Sequence, residues 1–168
     1  RSFDSQNEFF RSAGRFSKTA SGKINTYALF TELFSAVACR AAIIVPRGIA
    51  TDSTTAPFFS SLVTEGRLAC LYCFENEAFI FRSVHHAFQF AILVTRPPSA
   101  IPAKFSQFIR HIPQLQDPHR QYSLSADDIL AINPNTGSAP IFRSVADAEL
   151  SKTIYSKIPI FIRMVDRE

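Results

Sequence analysis

Apolar positions in this chain come in two patterns: short continuous runs, and stretches in which they recur every three or four residues. The clearest run is Ala41-Ala-Ile-Ile-Val45, stopped by Pro46 and Gly48 and followed by a polar cluster. A run of that length feeding a helix start reads as a buried parallel strand. The turn after such a strand is where α/β sheets place ligands. Leu68–Phe74 and Phe88–Thr95 are two more predicted strands, the latter apolar enough that both its faces are expected to be covered. Asn25–Cys39 is the strongest predicted helix, because Tyr27, Phe30, Phe34 and Val37 share one face with Leu33 beside them. Asn25 or Thr26 can cap it. Asp52, Ser53 and Thr54 offer a second cap, with Pro57 tolerated in the first turn. That helix is expected to reach about Glu65, to bury Phe58, Phe59, Leu62 and Val63, and to stop at Gly66. A shorter helix is expected over Asp4–Ala13, closed by Gly14.

Arg96-Pro-Pro-Ser99 breaks this pattern, and the chain is divided there into residues 1–96 and 97–168. The second part reads as shorter helices joined by Pro and Gly turns. Ala103–His111 places Phe105, Phe108 and Ile109 on one helical face. Ser125-Ala-Asp-Asp128 and Ser144-Val-Ala-Asp147 read as helix caps, with acids in the first turn where the helix dipole favours them. The helix after Ser144 is expected to run to about Lys157, with Ala148, Ile154 and Ile158 toward a core, and Ile158–Ile162 to be an extended tail.

Length and charge narrow the picture modestly. A chain of 168 residues is one domain, or one with an appendage. A net charge of +4 and a pI near 9.2 lean toward a polyanionic partner. Three cysteines fit a reducing cytoplasm, which is the expected location. No signal peptide and no membrane-spanning run is present in the sequence. Cys70 and Cys73 have the CxxC spelling, but positions three apart on a strand point to opposite faces, so core filling is the expectation. His85 and His86 are adjacent, a poor chelating pair on extended backbone. The five glycines are isolated, and no phosphate loop or nucleophile turn occurs. No metal site is expected. Local pattern alone therefore stops at an α/β piece with a helical appendage and nucleic acid as a candidate partner.

A set of weak fragments, taken in order, goes further. They are Gly22-Lys-Ile-Asn-Thr-Tyr-Ala-Leu-Phe30, Ile44-Val-Pro-Arg-Gly-Ile-Ala-Thr-Asp52, Gly66-Arg-Leu68, Phe74-Glu-Asn76, Val84-His-His-Ala-Phe-Gln-Phe-Ala-Ile-Leu93, and Ile132-Asn-Pro-Asn-Thr136 with Ala139-Pro-Ile-Phe-Arg-Ser-Val-Ala-Asp-Ala-Glu149. Together they resemble the S-adenosylmethionine-dependent DNA adenine-N6 methyltransferases of restriction–modification and phage-defence systems. The resemblance covers the later part of that family's catalytic domain. Two earlier family motifs do not occur here: the Gly-containing loop that holds the methyl donor, and the Asn/Asp-Pro-Pro-Tyr/Phe motif that grips the adenine amine.

The resemblance implies a partial Rossmann-like methyltransferase sheet in an α/β fold. Ala41–Val45, Leu68–Phe74 and Phe88–Thr95 would be its last three strands, the final one antiparallel between the other two, with flanking helices and a helical C-terminal appendage. It implies Asn25 and Tyr27 on the floor of the donor and target pocket, and Phe81 as the ring that stacks on a flipped base. Arg47, Arg82, His85 and His86 would contact DNA near the same rim. The alternatives stay open at this point: Phe81 as a core phenylalanine, and the four basic residues as a solvated rim. The implied cofactor is S-adenosylmethionine in the parent protein, with none expected for this chain alone. The implied partners are duplex DNA and the missing N-terminal part of the domain. A non-catalytic DNA-binding or assembly module is the alternative function.

Overall fold

The computed structural model describes residues 2–158 and 160. In chain order its elements are α1 (Ser2–Ser12), α2 (Thr26–Val37), β1 (Ala41–Pro46), α3 (Ala56–Thr64), β2 (Leu68–Glu75), β3 (Gln89–Thr95), β4 (Ala103–Ile109), β5 (Tyr122–Leu124), α4 (Ala126–Ile132) and α5 (Val145–Lys157), with short 3-10 turns between some of them. The five strands form one sheet in the order β1-β3-β2-β4-β5. β3 is antiparallel to β1 on one side and to β2 on the other, so β1 and β2 are parallel. The arrangement implied for the last three strands is therefore present. β4 adds to β2 in parallel, and β5 returns antiparallel to β4.

The strand directions follow from the connections. α3 lies between β1 and β2, and a helical crossover is what joins parallel strands. It buries Phe58, Phe59, Leu62 and Val63, as the periodicity predicts. Each such side chain, taken fully from water, contributes about 1.5–3 kcal/mol. Thr55 stands at its cap, but its hydroxyl donates to Gly48 O (2.7 Å) and Asp52 O (3.1 Å) rather than capping the helix. The hydroxyl thus ties the helix start to the turn after β1.

The sheet has two unequal faces. Leu71, Cys73, Ala91, Leu93 and Phe105 share one buried core with Ala28 of α2, Phe58 of α3, Ile129 of α4 and Ala148 of α5. On the opposite face Tyr72, Ile92 and Val94 are only half-buried, and Ile44 is 58% exposed. The expectation that both faces of β3 are covered therefore holds for the Ala91/Leu93/Thr95 face, while the Phe90/Ile92/Val94 face is half open. β1 pairs with β3 alone, which leaves its other edge free among the described residues; its apolar run predicts a buried strand, but as an edge strand it buries only Val45 fully.

Three further expectations need correction. Ala103–His111 is not a helix: residues 103–109 form β4. Phe105, Phe108 and Ile109 have helical spacing, but Ala103, Phe105 and the amide of Gln107 alternate into the core, where Gln107 donates to Tyr122 OH (3.0 Å) and Pro140 O (2.7 Å). A bulge then places Phe108 in the left-handed region at φ 57°. In α2 the apolar stripe faces outward. Phe30, Phe34 and Val37 are exposed, while Ala28, Leu29, Thr31, Glu32 and Ser35 are buried. Polar bonds decide that orientation: the Glu32 carboxylate accepts from Thr19 Oγ1 (2.5 Å) and Lys18 N (3.2 Å), and an Arg67 guanidinium nitrogen donates to Ser35 O. In α5, Ala148 is buried as expected but Ile154 and Ile158 are exposed, since only one side of the helix meets α4 and the sheet. The predicted tail over 158–162 lies mostly outside the described residues.

Both predicted capping boxes are present. Ser125 and Asp128 exchange bonds of 3.0 and 2.9 Å, and Ser144 and Asp147 exchange bonds of 3.1 Å each. Gly66 ends α3 at φ +65°, and a Cβ there would lie 2.5 Å from the backbone oxygen of Ser99. The two segments are already joined, with Ser99 N donating to Gly66 O (3.1 Å). Replacing Gly66 by Ala should cost at least about 1–2 kcal/mol from the left-handed backbone alone, and more from the clash. Urea unfolding measures it; an unchanged midpoint would contradict this account of the turn.

Candidate nucleic-acid interface at the carboxyl edge of the sheet

Because β1, β2 and β4 are parallel, their carboxyl ends share one edge of the sheet. Arg47 follows β1, Asn76 follows β2 and Arg110 follows β4. The long β2–β3 connection, residues 76–88, lies on the same edge. The structure thereby brings Phe81, Arg82, His85, His86 and Arg47 to one rim. Asn25 and Tyr27 sit at the start of α2.

Phe81 lies in the β2–β3 connection and is 38% exposed. Its ring meets Phe90 edge-on (4.9 Å between centroids, 74°), and Phe90 stacks flat on Phe74 (4.9 Å, 3°). One side of Phe81 is thus braced by an aromatic ladder rooted in the sheet. Phe79 is 51% exposed and left-handed (φ 50°), with its ring 6.2 Å from that of His86. Arg82, His85 and His86 are exposed. The two histidine rings lie side by side, 4.4 Å apart, because the backbone turns here instead of running extended. His85 Nδ1 accepts from Ala87 N (3.2 Å). Among the described residues no group of three or more His, Cys, Asp or Glu could hold a metal ion.

Arg47 is half-buried at the turn after β1 and lies close enough to act electrostatically on the Cys73 thiol. Tyr27 is half-buried against the core. Burial, and then the Asp52 carboxylate, raise its pKa. Asn25 Nδ2 donates to Lys23 O (3.5 Å). The turn after β1 is not an open cradle: a Cβ on Gly48 would lie 2.2 Å from Asp52 Oδ2, so the carboxylate already fills that space.

Sequence reasoning missed several residues on this edge. Arg110, Arg120 and Arg143 line one groove with Glu75, Phe108 and Gln114. Arg110 pairs with Glu75 (2.7 Å), Arg120 with Asp117 (3.3 Å), and the Arg143 guanidinium sits 4.5 Å over the Phe108 ring. Reading residues 103–111 as a helix hid this cluster. The role of Asn76 was also missed; it is the first residue of the β2–β3 connection and is fully buried.

The cysteines behave as core filling predicts. Cys73 is buried on the core face, Cys70 is half-buried on the other face, and both are free thiols. Burial pushes the Cys73 pKa up to about 12, against a smaller opposing pull from Arg47.

Comparison with solved structures places this architecture. A methyltransferase subunit of a type I restriction–modification system from Streptococcus thermophilus superposes with a TM-score of 0.56 at 14% identity, over 77% of this chain and 33% of that one. The type IIG restriction endonuclease BpuSI superposes with a TM-score of 0.48 at 16% identity, over 89% of this chain and 18% of the enzyme. No protein-family profile and no curated protein sequence matches the chain. The first likeness shows a shared fold: a mixed α/β, partial Rossmann-like sheet with flanking helices. This chain spans about a third of the length of that methyltransferase subunit. No helix among the described residues is long and apolar enough to cross a membrane.

The thiol chemistry gives a direct check on the core. Burial pushes the Cys73 pKa up to about 12, so the thiol stays protonated at pH 8, and it is shielded as well. Iodoacetamide at that pH should modify exposed Cys39 and spare Cys73, as read by mass spectrometry of the native protein. Equal modification of both would contradict the buried placement of β2.

Proposed function

We propose that this chain is the rear part of the catalytic domain of a DNA methyltransferase of restriction–modification type. That enzyme moves a methyl group from S-adenosylmethionine to adenine N6 in duplex DNA, in the cytoplasm. The observation that carries the reading is β3 held antiparallel between parallel β1 and β2, in a fold shared with a restriction–modification methyltransferase subunit. The ordered sequence fragments add the adenine-N6 assignment.

The chain alone does not fit the methyl donor. It carries no glycine-containing donor loop, and the one glycine that follows a parallel strand closely, Gly48, is occupied by Asp52. The donor and the adenine clamp therefore belong to the missing N-terminal part of the domain. That part is the proposed partner for the free edge of β1, the exposed Ile44, and the outward stripe Phe30, Phe34 and Val37 on α2. The Phe30 and Phe34 rings already stack on each other (6.0 Å), which leaves a continuous apolar ridge for a neighbour. Asn25 and Tyr27, beside the turn after β1, would form the floor of the pocket once it is assembled.

An adenine amine inside a duplex is reached by extruding the base. Phe81 is the proposed ring for the extruded base, with stacking worth about 1–3 kcal/mol. Arg47, Arg82, His85 and His86 are the proposed phosphate contacts, which orient the duplex without reading its sequence. The division at residues 96 and 97 is kept as a functional one, with residues from 97 onward leading toward target recognition. A second reading is a non-catalytic DNA-binding or assembly module, for which the exposed Phe30 and Phe34 ridge of α2 would be the docking surface.

Two measurements separate the readings. Calorimetry with S-adenosylmethionine should show no binding by this chain alone. Joined to a segment carrying the donor loop and the Asn-Pro-Pro-Tyr/Phe motif, it should transfer labelled methyl to adenine in duplex DNA. An assembled domain that binds donor and duplex yet transfers nothing would favour the second reading. Replacing Arg47 and Arg82 together with Ala in the assembled domain should weaken duplex binding and flatten its salt dependence by about two units of slope. An unchanged slope would remove both from the interface.

A further inference from the structure

Asn76 is fully buried at the end of β2, and its polar atoms all turn into the β2–β3 loop. Its side-chain Nδ2 donates to Phe81 O (3.0 Å) and Val84 O (2.8 Å), and its Oδ1 accepts from Phe81 N (2.9 Å). Its backbone N–H donates to Phe88 O (3.1 Å), and its carbonyl accepts from Phe79 N (2.8 Å). One residue therefore ties four loop residues to the sheet. Phe81 is held by both its N–H and its C=O, as a partner strand would hold it, but by a single side-chain amide.

We propose that Asn76 is the positioning residue for Phe81, setting that ring at the carboxyl edge of the sheet where an unstacked nucleobase can lie on it. The proposal rests on the reading of Phe81 as the base-stacking ring and adds the device that fixes it. With the backbone of residue 81 pinned on both sides, the ring has only its own rotamers left, and the edge-on contact with Phe90 selects among them. Phe79 is left-handed at the same turn, where its N–H donates to the backbone carbonyl of Asn76 (2.8 Å); a bulky residue keeps that conformation only where its surroundings impose it. The side-chain bond that His85 makes within the loop, Nδ1 accepting from Ala87 N, spans two residues and leaves Phe81 untouched.

The chemistry demands asparagine. Aspartate has the same shape but only acceptors when ionised. At position 76 it would keep the bond from Phe81 N and turn a carboxylate oxygen toward the carbonyls of Phe81 and Val84. Asn76→Asp therefore unlocks the loop with almost no change in volume.

The test uses this chain with a single-stranded oligonucleotide carrying 5-iodouracil, which photocrosslinks efficiently to an aromatic ring stacked on it. In the unaltered protein the crosslink should map to Phe81 by mass spectrometry, and Phe81→Ala should abolish it. Asn76→Asp should lower the crosslink at equal bound fraction by about tenfold or more, as misplacement of a reacting pair does. Its dissociation constant for the oligonucleotide should stay within about twofold, because phosphate contacts dominate affinity. A crosslink at Phe81 that Asn76→Asp leaves intact would overturn the positioning role while sparing the stacking reading. A crosslink yield unchanged in Phe81→Ala would overturn both. Should Asn76→Asp fail to fold, amide hydrogen exchange on the unaltered chain decides: Phe81 N–H should be protected well beyond its neighbours Arg82 and Ser83, and exchange as fast as theirs would overturn the proposal.

Discussion

Hydrogen bonding of β3 along both its edges is the constraint on which the rest of this structure depends. Its seven residues are paired with β2 on one side and, from Phe90 to Thr95, with β1 on the other. A strand slotted antiparallel between two parallel ones fixes three things together. It makes β1 and β2 parallel, so α3 must cross between them. It sends their carboxyl ends to one edge. And it forces the chain leaving β2 to make a long connection on that same edge before re-entering as β3. The aromatic and basic loop is thus placed by the strand order, before any side chain in it is considered.

The unequal faces of the sheet follow from the same order. Helices α2, α3, α4 and α5 all contribute to a core on one face, so that face is closed. The other face, the free edge of β1 and the outward ridge of α2 are apolar without a described cover. Larger solvent-facing apolar areas of this kind mark interaction surfaces. The buried polar set on α2, with Glu32 held by Thr19 and Lys18, shows that the ridge is not simply a helix turned the wrong way. Polar bonds lock the opposite side inward, and the phenylalanines are left for a neighbour.

Much of the architecture is legible in the sequence because it is written in local pattern. The continuous apolar runs mark β1, β2 and β3, and the spacing of Phe58, Phe59, Leu62 and Val63 marks the buried side of α3. Ser125 with Asp128, and Ser144 with Asp147, announce two helix starts through bonds three residues apart. What is not legible depends on distant partners. Gln107 is compatible with a core position only because Tyr122 and Pro140 meet its amide, so β4 reads as a helix when those partners are unknown. The inward side of α2 is chosen by Thr19, Lys18 and Arg67, which helical periodicity does not register. Asn76 looks like any strand-ending asparagine until the loop folds back on it. The rim arginines at 110, 120 and 143 come together only once β4 and β5 are strands.

Strand order in solution is the decisive property. Cross-strand backbone NOEs in isotopically labelled protein report it without reference to any ligand. The structure predicts contacts from β3 to both neighbours: Leu93 and Ala91 with Ile43 and Val45 of β1, and the same two residues with Leu71 and Cys73 of β2. Direct contacts between β1 and β2, with β3 at an edge or outside the sheet, would contradict the fold and remove the basis for the methyltransferase reading.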